Sequence, residues 1–484
     1  MIRWFHVFQT AVFSAAFACT QGWAESPAPA PAVTFTHLPQ PLQVYPRDLK
    51  SNKAFVPIAG TVTTPGYETI VVRIQKEGDA KPYLLKQRLR YKNGVAPFTL
   101  FANIAAELKN YAFSVNLNKG SQTCVVTNVA DVVAGDIFLI NGQSNAEARG
   151  FNGSANTNRG AFVRSFGSRV HNPSVAATLN WCPAEGDQVE GPGAVGQWGL
   201  RLGRLMVDTF QVPVAILNGA LGGQAIGHYQ RDAKDPQDLN SNYGRLLLRC
   251  RAAGVTNSIR AIFWYQGESD SGNADVHEKG FLALYQAWKN DYPSIRKVYV
   301  MQVRVGCGVD KGNVELRDRQ RRWPGQFPGI AVMSPNGINA HDGCHYAYEG
   351  YAEIANRLFA LAARDLYGQK SAPGIEAPDM QRAFFSKPDH TEITLCTRDP
   401  AEALRFDAGA QADFVIEAPG NVQITGGSAS GNRIILTLSA DAGQAAAVCY
   451  TGHSGGGPWV TNTRGIGLLA GRVHPIEAAA PAGR

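Results

Sequence analysis

Charge is scarce in this chain. Asp, Glu, Lys and Arg make up 18% of it, and no run of five or six basic residues occurs. A nucleic-acid groove needs clustered Lys and Arg, usually interleaved with aromatics. Here a net charge of +7 is spread over 484 residues, which excludes a dedicated groove of that kind. Beyond the N-terminus no apolar stretch reaches the roughly 18 residues that a membrane-spanning helix requires. None of the eight cysteines forms a CxxC pair, so neither a zinc site nor a dithiol redox motif is indicated. No internal repeat of fixed period is present, which sets solenoid architectures aside. What is present is 44% hydrophobic residues with 51 Gly and 27 Pro. That describes a turn-rich globular chain with room for two or three domains.

The first residues read as an export signal. Arg3 supplies the positive start, Val7 to Ala18 is largely apolar, and Gly22-Trp23-Ala24 offers small residues at the cleavage positions. A lipoprotein reading through Cys19 is weaker, because Ala16 stands where a lipobox has Leu. Removing a signal over 1–24 predicts an exported protein, periplasmic or secreted, with seven cysteines left. An oxidising compartment favours pairing of some of them.

Residues 25–40 are Pro/Ala-rich and read as a linker. From 41 to 133 short β-type runs such as Phe55–Ile58, Thr69–Ile74 and Ala112–Leu117 alternate with turns at Pro65-Gly66 and Asn93-Gly94. This predicts a small β-sandwich. At Ile137 the character changes. Five apolar runs (137–140, 212–217, 259–265, 298–303 and 330–333) alternate with helical stretches such as Leu200–Phe210 and Phe281–Lys289. That is the pattern of a parallel α/β sheet over 134–370. A second Pro-rich joint at 371–378 leads into further strand-like runs, predicting a C-terminal β-domain over 371–484.

In an open parallel sheet, ligands bind beyond the carboxyl ends of the strands. The residues that follow the five runs include Asn141-Gly-Gln-Ser-Asn145, Asn218-Gly-Ala-Leu-Gly-Gly223, Gln266-Gly-Glu-Ser-Asp270, Arg304-Val-Gly-Cys307 and Asp342-Gly-Cys-His345. Ser144, two residues after Gly142, sits where a strand-to-helix turn exposes a hydroxyl and aims its own N–H at an incoming carbonyl oxygen. A helix N-cap is the plainer role for such a serine, and the G-x-S-x-G elbow is not met because Ala146 replaces its last Gly. A serine becomes a nucleophile only beside an oriented base. Asp342 and His345, three apart at a strand-to-helix junction, have the spacing to supply one.

Four blocks, GQSNA at 142–146, LGGQAI at 221–226, WYQGESD at 264–270 and DGCHY at 342–346, together resemble the SGNH hydrolase superfamily. The branch they resemble is that of the carbohydrate O-acetylesterases, with sialate O-acetylesterases and acetylxylan esterases. The resemblance implies a flavodoxin-like three-layer catalytic domain, here flanked by β-domains. It also implies a catalytic set of Ser144 as nucleophile, His345 as base and Asp342 orienting that base. Gly223 and Gln266 join the Ser144 N–H as oxyanion donors, with Gln143, Asn145 and Glu268 in support. No cofactor or metal is implied. The partner is an acetylated oligo- or polysaccharide, with no nucleic acid and no transmembrane segment. Two departures stand out. Ala146 replaces a common Met, and Tyr346 follows the His where a Pro is common.

Two other readings remain open, a lipid or thioester hydrolase on the same scaffold and a catalytically silent glycan-binding protein. Trp181, Trp198, Trp264 and Tyr265 are candidates to stack on sugar, with the last two expected to be half core. Arg304 is a candidate to contact an acidic sugar, though a surface Arg paired with Asp310 is the plainer expectation. Cys307 with Cys344, and Cys396 with Cys449, are the expected disulfides.

Overall fold

The computed structural model describes residues 32–173, 178–474 and 476–478. The expected signal over 1–24 lies outside them. The linker expected over 25–40 is shorter than its composition suggests. Val33–His37 is a strand paired antiparallel with Lys53–Val62, its Val33 and Phe35 packed on an apolar core.

That core belongs to the N-terminal strands. Lys53–Val62 pairs with Ala96–Ala105, and Thr69–Lys76 pairs with Tyr83–Arg88 and Tyr111–Lys119. Alternate residues such as Val56, Ile58, Val72, Ile74, Phe113 and Val115 point inward, the two-residue period of strands buried on one face. Asn93 and Gly94 both take positive φ, 54° and 81°, as a tight hairpin turn demands.

One strand joins this region to the next. Gln122–Gly142 runs 21 residues, pairing first with Tyr111–Lys119 and then, further along, lying between Val214–Asn218 and Ile259–Tyr265. The boundary expected between 133 and 134 therefore falls inside a strand. Within the second sheet the order is Trp181–Pro183, Val163–Phe166, Val214–Asn218, Gln122–Gly142, Ile259–Tyr265, Lys297–Met301, Ile330–Met333. All neighbouring pairs are parallel except the first, giving one large mixed sheet. The strand Val163–Phe166 is absent from the sequence reading because Arg164 and Ser165 break its apolar character. Both are nonetheless buried, and Arg164 is satisfied by the Ala161 carbonyl, the Asp131 carbonyl and Asn110.

Alternation along the central strand feeds two cores. Phe138 and Ile140 pack with the helices Gln197–Phe210 and Tyr348–Tyr367, while Ile137 and Leu139 pack with Asn242–Ala252 and Ala274–Asp291. At the strand's entry into this sheet, Asp136 accepts from Arg47, Arg260 and Tyr367, tying the N-terminal strands to the last helix. Residues 380–478 form three further small sheets around a fourth core.

The exit of the central strand depends on Gly142, held at φ +134° with its Cα facing the Tyr265 carbonyl. A side-chain carbon there would lie 2.1 Å from that oxygen. Gly142→Ala is expected to lower stability by more than about 2 kcal/mol, measured by chemical denaturation. A variant as stable as wild type would show that this close approach is not required.

Candidate active site

Three loops converge beyond the carboxyl ends of the strands. The first is the exit of the central strand. Gln143 donates its N–H to the Tyr265 carbonyl at 2.9 Å, and the chain then turns into the single-turn helix Ser144–Glu147. This places Ser144, partly exposed, at the turn.

The second loop carries Asp342 and His345. Asp342 Oδ1 accepts from the main-chain N–H groups of Cys344 and His345, both at 2.7 Å, folding the loop into a tight turn. His345 Nε2 then lies 3.0 Å from Ser144 Oγ. The Asp342 carboxylate acts on the imidazole through its field, favouring the protonated ring, while its hydrogen bonds from Cys344 and His345 come from the main chain. Partial burial is the largest influence on His345 and, with the Arg149 cation, holds its pKa below the usual histidine range against the opposing carboxylates of Asp342 and Glu147. Burial acts to raise the Asp342 pKa, but the two main-chain N–H groups and His345 outweigh it and hold it low. Phe151 stacks on the His345 ring at 4.3 Å and 16°, and Arg149 lies over Phe151.

The third loop, 219–224, packs directly against the first. Gly219 and Leu221 donate to the carbonyls of Ile140 and Gly142, each at 2.9 Å. A carbon added at Gly222 would meet Ser144 Cβ at 3.4 Å, whereas one at Gly223, where φ is +70°, would meet nothing within 4 Å. Gly223 thus borders open space beside the serine. Gln266 is fully buried. Its Nε2 donates to Asp270 Oδ2 at 2.5 Å and to the Gln224 carbonyl at 3.2 Å, with the Gln143 side chain at 3.5 Å. Asp270 also accepts the Ile226 N–H at 2.8 Å, so it anchors the far end of the same loop.

Asn145 ties the first two loops together. Its Nδ2 donates to Glu268 Oε1 at 3.1 Å and to the Cys344 carbonyl at 3.2 Å, and its Oδ1 accepts from Tyr351 at 3.2 Å. Trp198 Nε1 donates to its carbonyl at 2.9 Å. Glu268 is wholly buried, and that desolvation raises its pKa.

Several expectations need correction. Arg304 is not a surface residue paired with Asp310. It is buried, donates to the Ser454 carbonyl at 2.9 Å and lies over the Tyr346 ring. Trp198, Trp264 and Tyr265 are fully buried and Trp181 is 5% exposed, so their rings serve the core rather than sugar stacking. Cys307 and Cys344 form a disulfide, with Cα atoms 4.5 Å apart, but Cys396 and Cys449 are separate thiols. Strand alternation explains the second case. Leu395, Val448 and Tyr450 take the inward positions, leaving Cys396 and Cys449 off the shared core on two different sheets. Cys307, Cys344 and His345 offer donors within 4.8 Å of one another, but the two sulfurs are bonded to each other and are no thiolate pair for a metal. Glu147 and Phe151 took no part in the sequence reading, and Asp270, which closes WYQGESD, was given no role, although Glu147 directly follows GQSNA.

Residues 134–364 match the carbohydrate esterase family described as sialic acid-specific acetylesterase. This part of the chain is similar to the carbohydrate esterases. A solved carbohydrate acetylesterase from Xanthomonas citri superposes with a TM-score of 0.64 at 19% identity, covering 92% of this chain and 100% of that one. Weaker matches are a protein from Arabidopsis thaliana (TM-score 0.35, 18% identity, 46% of this chain and 94% of that one) and a family two carbohydrate esterase from Cellvibrio japonicus (TM-score 0.33, 10% identity, 70% and 99%). No curated protein matches the sequence. The chain is accordingly a carboxylic ester hydrolase with a saccharide substrate. No helix among the described residues is long and apolar enough to cross a membrane.

The Cys307–Cys344 bond staples the loop after Met301 to the loop bearing His345. Their main chains touch so closely that a carbon at Gly306 would fall 1.9 Å from the Gly343 carbonyl. Peptide mapping without reductant is expected to recover the Cys307–Cys344 linkage and free thiols at 396 and 449. Cys344→Ser is expected to cost about 2–5 kcal/mol of stability. Free thiols at 307 and 344 in non-reduced protein would count against the staple.

Proposed function

We propose that the protein is an exported carbohydrate O-acetylesterase working by serine acyl transfer, its catalytic unit an SGNH-type three-layer fold flanked by N- and C-terminal β-domains. The reading rests on one observation, the 3.0 Å contact between Ser144 Oγ and His345 Nε2. That distance lies within the range at which a base removes a hydroxyl proton. The open space at Gly223 beside it supports the same reading.

In this mechanism His345 takes the Ser144 proton as Oγ attacks the acetyl carbonyl. The resulting oxyanion accepts from the main-chain N–H groups of Ser144 and Gly223. Gln266 gives up its 3.2 Å contact with the Gln224 carbonyl to donate as well, while Asp270 keeps its other N–H. Asp342 holds the loop that presents His345, and its charge favours the imidazolium as it forms. His345 then protonates the departing sugar oxygen. Water, activated by the same imidazole, releases acetate and restores Ser144.

Acetate release from 4-nitrophenyl acetate and a panel of acetylated glycans tests this. Ser144→Ala is expected to lower kcat by at least about 10⁴-fold, and equal rates would remove Ser144 as nucleophile. Failure of wild type on every acetyl ester would favour a silent glycan-binding protein.

Because the base must be neutral and its pKa is held down, the acid limb of kcat/KM is expected below the ordinary histidine value of about 6.5. Arg149→Gln removes a cation that disfavours the imidazolium, so the limb should move to higher pH. A limb that stays in place, or moves down, would contradict the assigned base.

A further inference from the structure

Glu147 closes the helical turn that Ser144 opens, and the sequence motifs leave it without a part. It is 5% exposed. One side of its carboxylate lies 2.8 Å from His171 Nε2, and His171 Nδ1 in turn lies 2.9 Å from Glu190 Oε1. The other side meets the loop that carries Gly223. Glu147 Oε2 faces the Gly222 main chain so closely that a carbon built at Gly222 would lie 3.0 Å from it, and that backbone acts to lower the Glu147 pKa against its burial. The Glu147 carbonyl accepts from the buried Arg169 at 2.8 Å, so the acid is held at its main chain as well. Arg169 spends its other donors on the carbonyls of Val189 and Gln188.

Gly222 therefore has the Glu147 carboxylate packed against it on one side, and Gly223, the residue that follows, borders open space. Gly223 has no side chain, and its left-handed φ is a conformation that glycine shares with many alternatives. A donor for a developing oxyanion is effective only when it is held in place before the charge forms. We infer that Glu147, clamped by His171, is a positioning residue that orients the Gly222–Gly223 segment so that the Gly223 N–H faces the oxyanion. This inference rests on the acyl-transfer reading above and adds a residue pair to it.

Glu147→Asp and Glu147→Gln separate the two properties of the side chain. Aspartate keeps the charge beside Arg169 but draws the carboxylate back from Gly222. Glutamine keeps the reach and the acceptor without the charge. The readouts are kcat and KM on 4-nitrophenyl acetate, the inhibition constant of methylboronic acid and the melting temperature. A boronic acid adds to the serine hydroxyl as a tetrahedral adduct whose oxygen takes the oxyanion position. E147D is expected to lose about 10- to 100-fold in kcat and a similar factor in boronate affinity, with KM within about twofold of wild type. E147Q is expected to stay within about threefold of wild type on both.

Wild-type kcat and boronate affinity in folded E147D would overturn the inference, as would an E147Q that falls as far as E147D. Should E147D not fold, His171→Ala decides the matter. Releasing the clamp is expected to lower kcat and boronate affinity together, and leaving both unchanged refutes the positioning role. Wild type that neither hydrolyses the ester nor binds the boronate would instead sink the acyl-transfer reading itself.

Discussion

A hydroxyl and an imidazole that are 201 residues apart in the chain must be held at 3.0 Å. Neither side chain can hold that distance alone, because each sits on a loop at the end of a different strand. The Asn145 carboxamide does the holding. It follows Ser144 directly, and its two amide protons go to Glu268 and to the carbonyl of Cys344, the residue before His345. Its oxygen is occupied by Tyr351, from the helix that begins after the histidine loop. A buried amide with its donors and acceptor satisfied has little freedom to turn. The distance between the Ser144 hydroxyl and the His345 imidazole is thus set by the carboxamide beside them.

The histidine loop has a second support from outside the large sheet. Arg304 beneath it donates to the Ser454 carbonyl, and Trp459 donates to Asn339 at 2.8 Å. Gly467 donates to the Asn336 carbonyl at 3.0 Å, while Arg357 reaches back to the Gly465 carbonyl at 3.1 Å. Loops of the C-terminal region therefore pack against the same short stretch that carries Asp342 and His345. Their contacts are mainly to main-chain carbonyls, so they constrain backbone position more than side-chain identity.

The parts that were legible in the sequence are those where one physical rule acts alone. Strand runs such as Arg433–Leu438 and Thr69–Ile74, the turn at Asn93-Gly94 and the recurrence of small polar residues at strand exits all read correctly. The meeting of Ser144 with His345 follows from that recurrence. What escaped was set by tertiary context. Arg164 and Ser165 look like solvent-facing residues, yet they are buried in a strand because carbonyls elsewhere satisfy the guanidinium. Cys396 and Cys449 both fall on strands, but strand parity turns them off the shared core. Gln266 carries the right donor group, and only the fold reveals that Asp270 and Gln224 already engage it. Glu147 has no local signal that would announce contact with a loop 75 residues on.

The long strand Gln122–Gly142 has a bearing on ancestry. Modular proteins exchange parts most readily where the chain passes between them through a loop. Here the passage from the N-terminal sheet to the serine is an unbroken ladder, and recombination near residue 133 would have to rebuild pairing on both sides of the cut. The β-rich N-terminal region and the esterase sheet are expected to have been inherited together, as one piece of architecture.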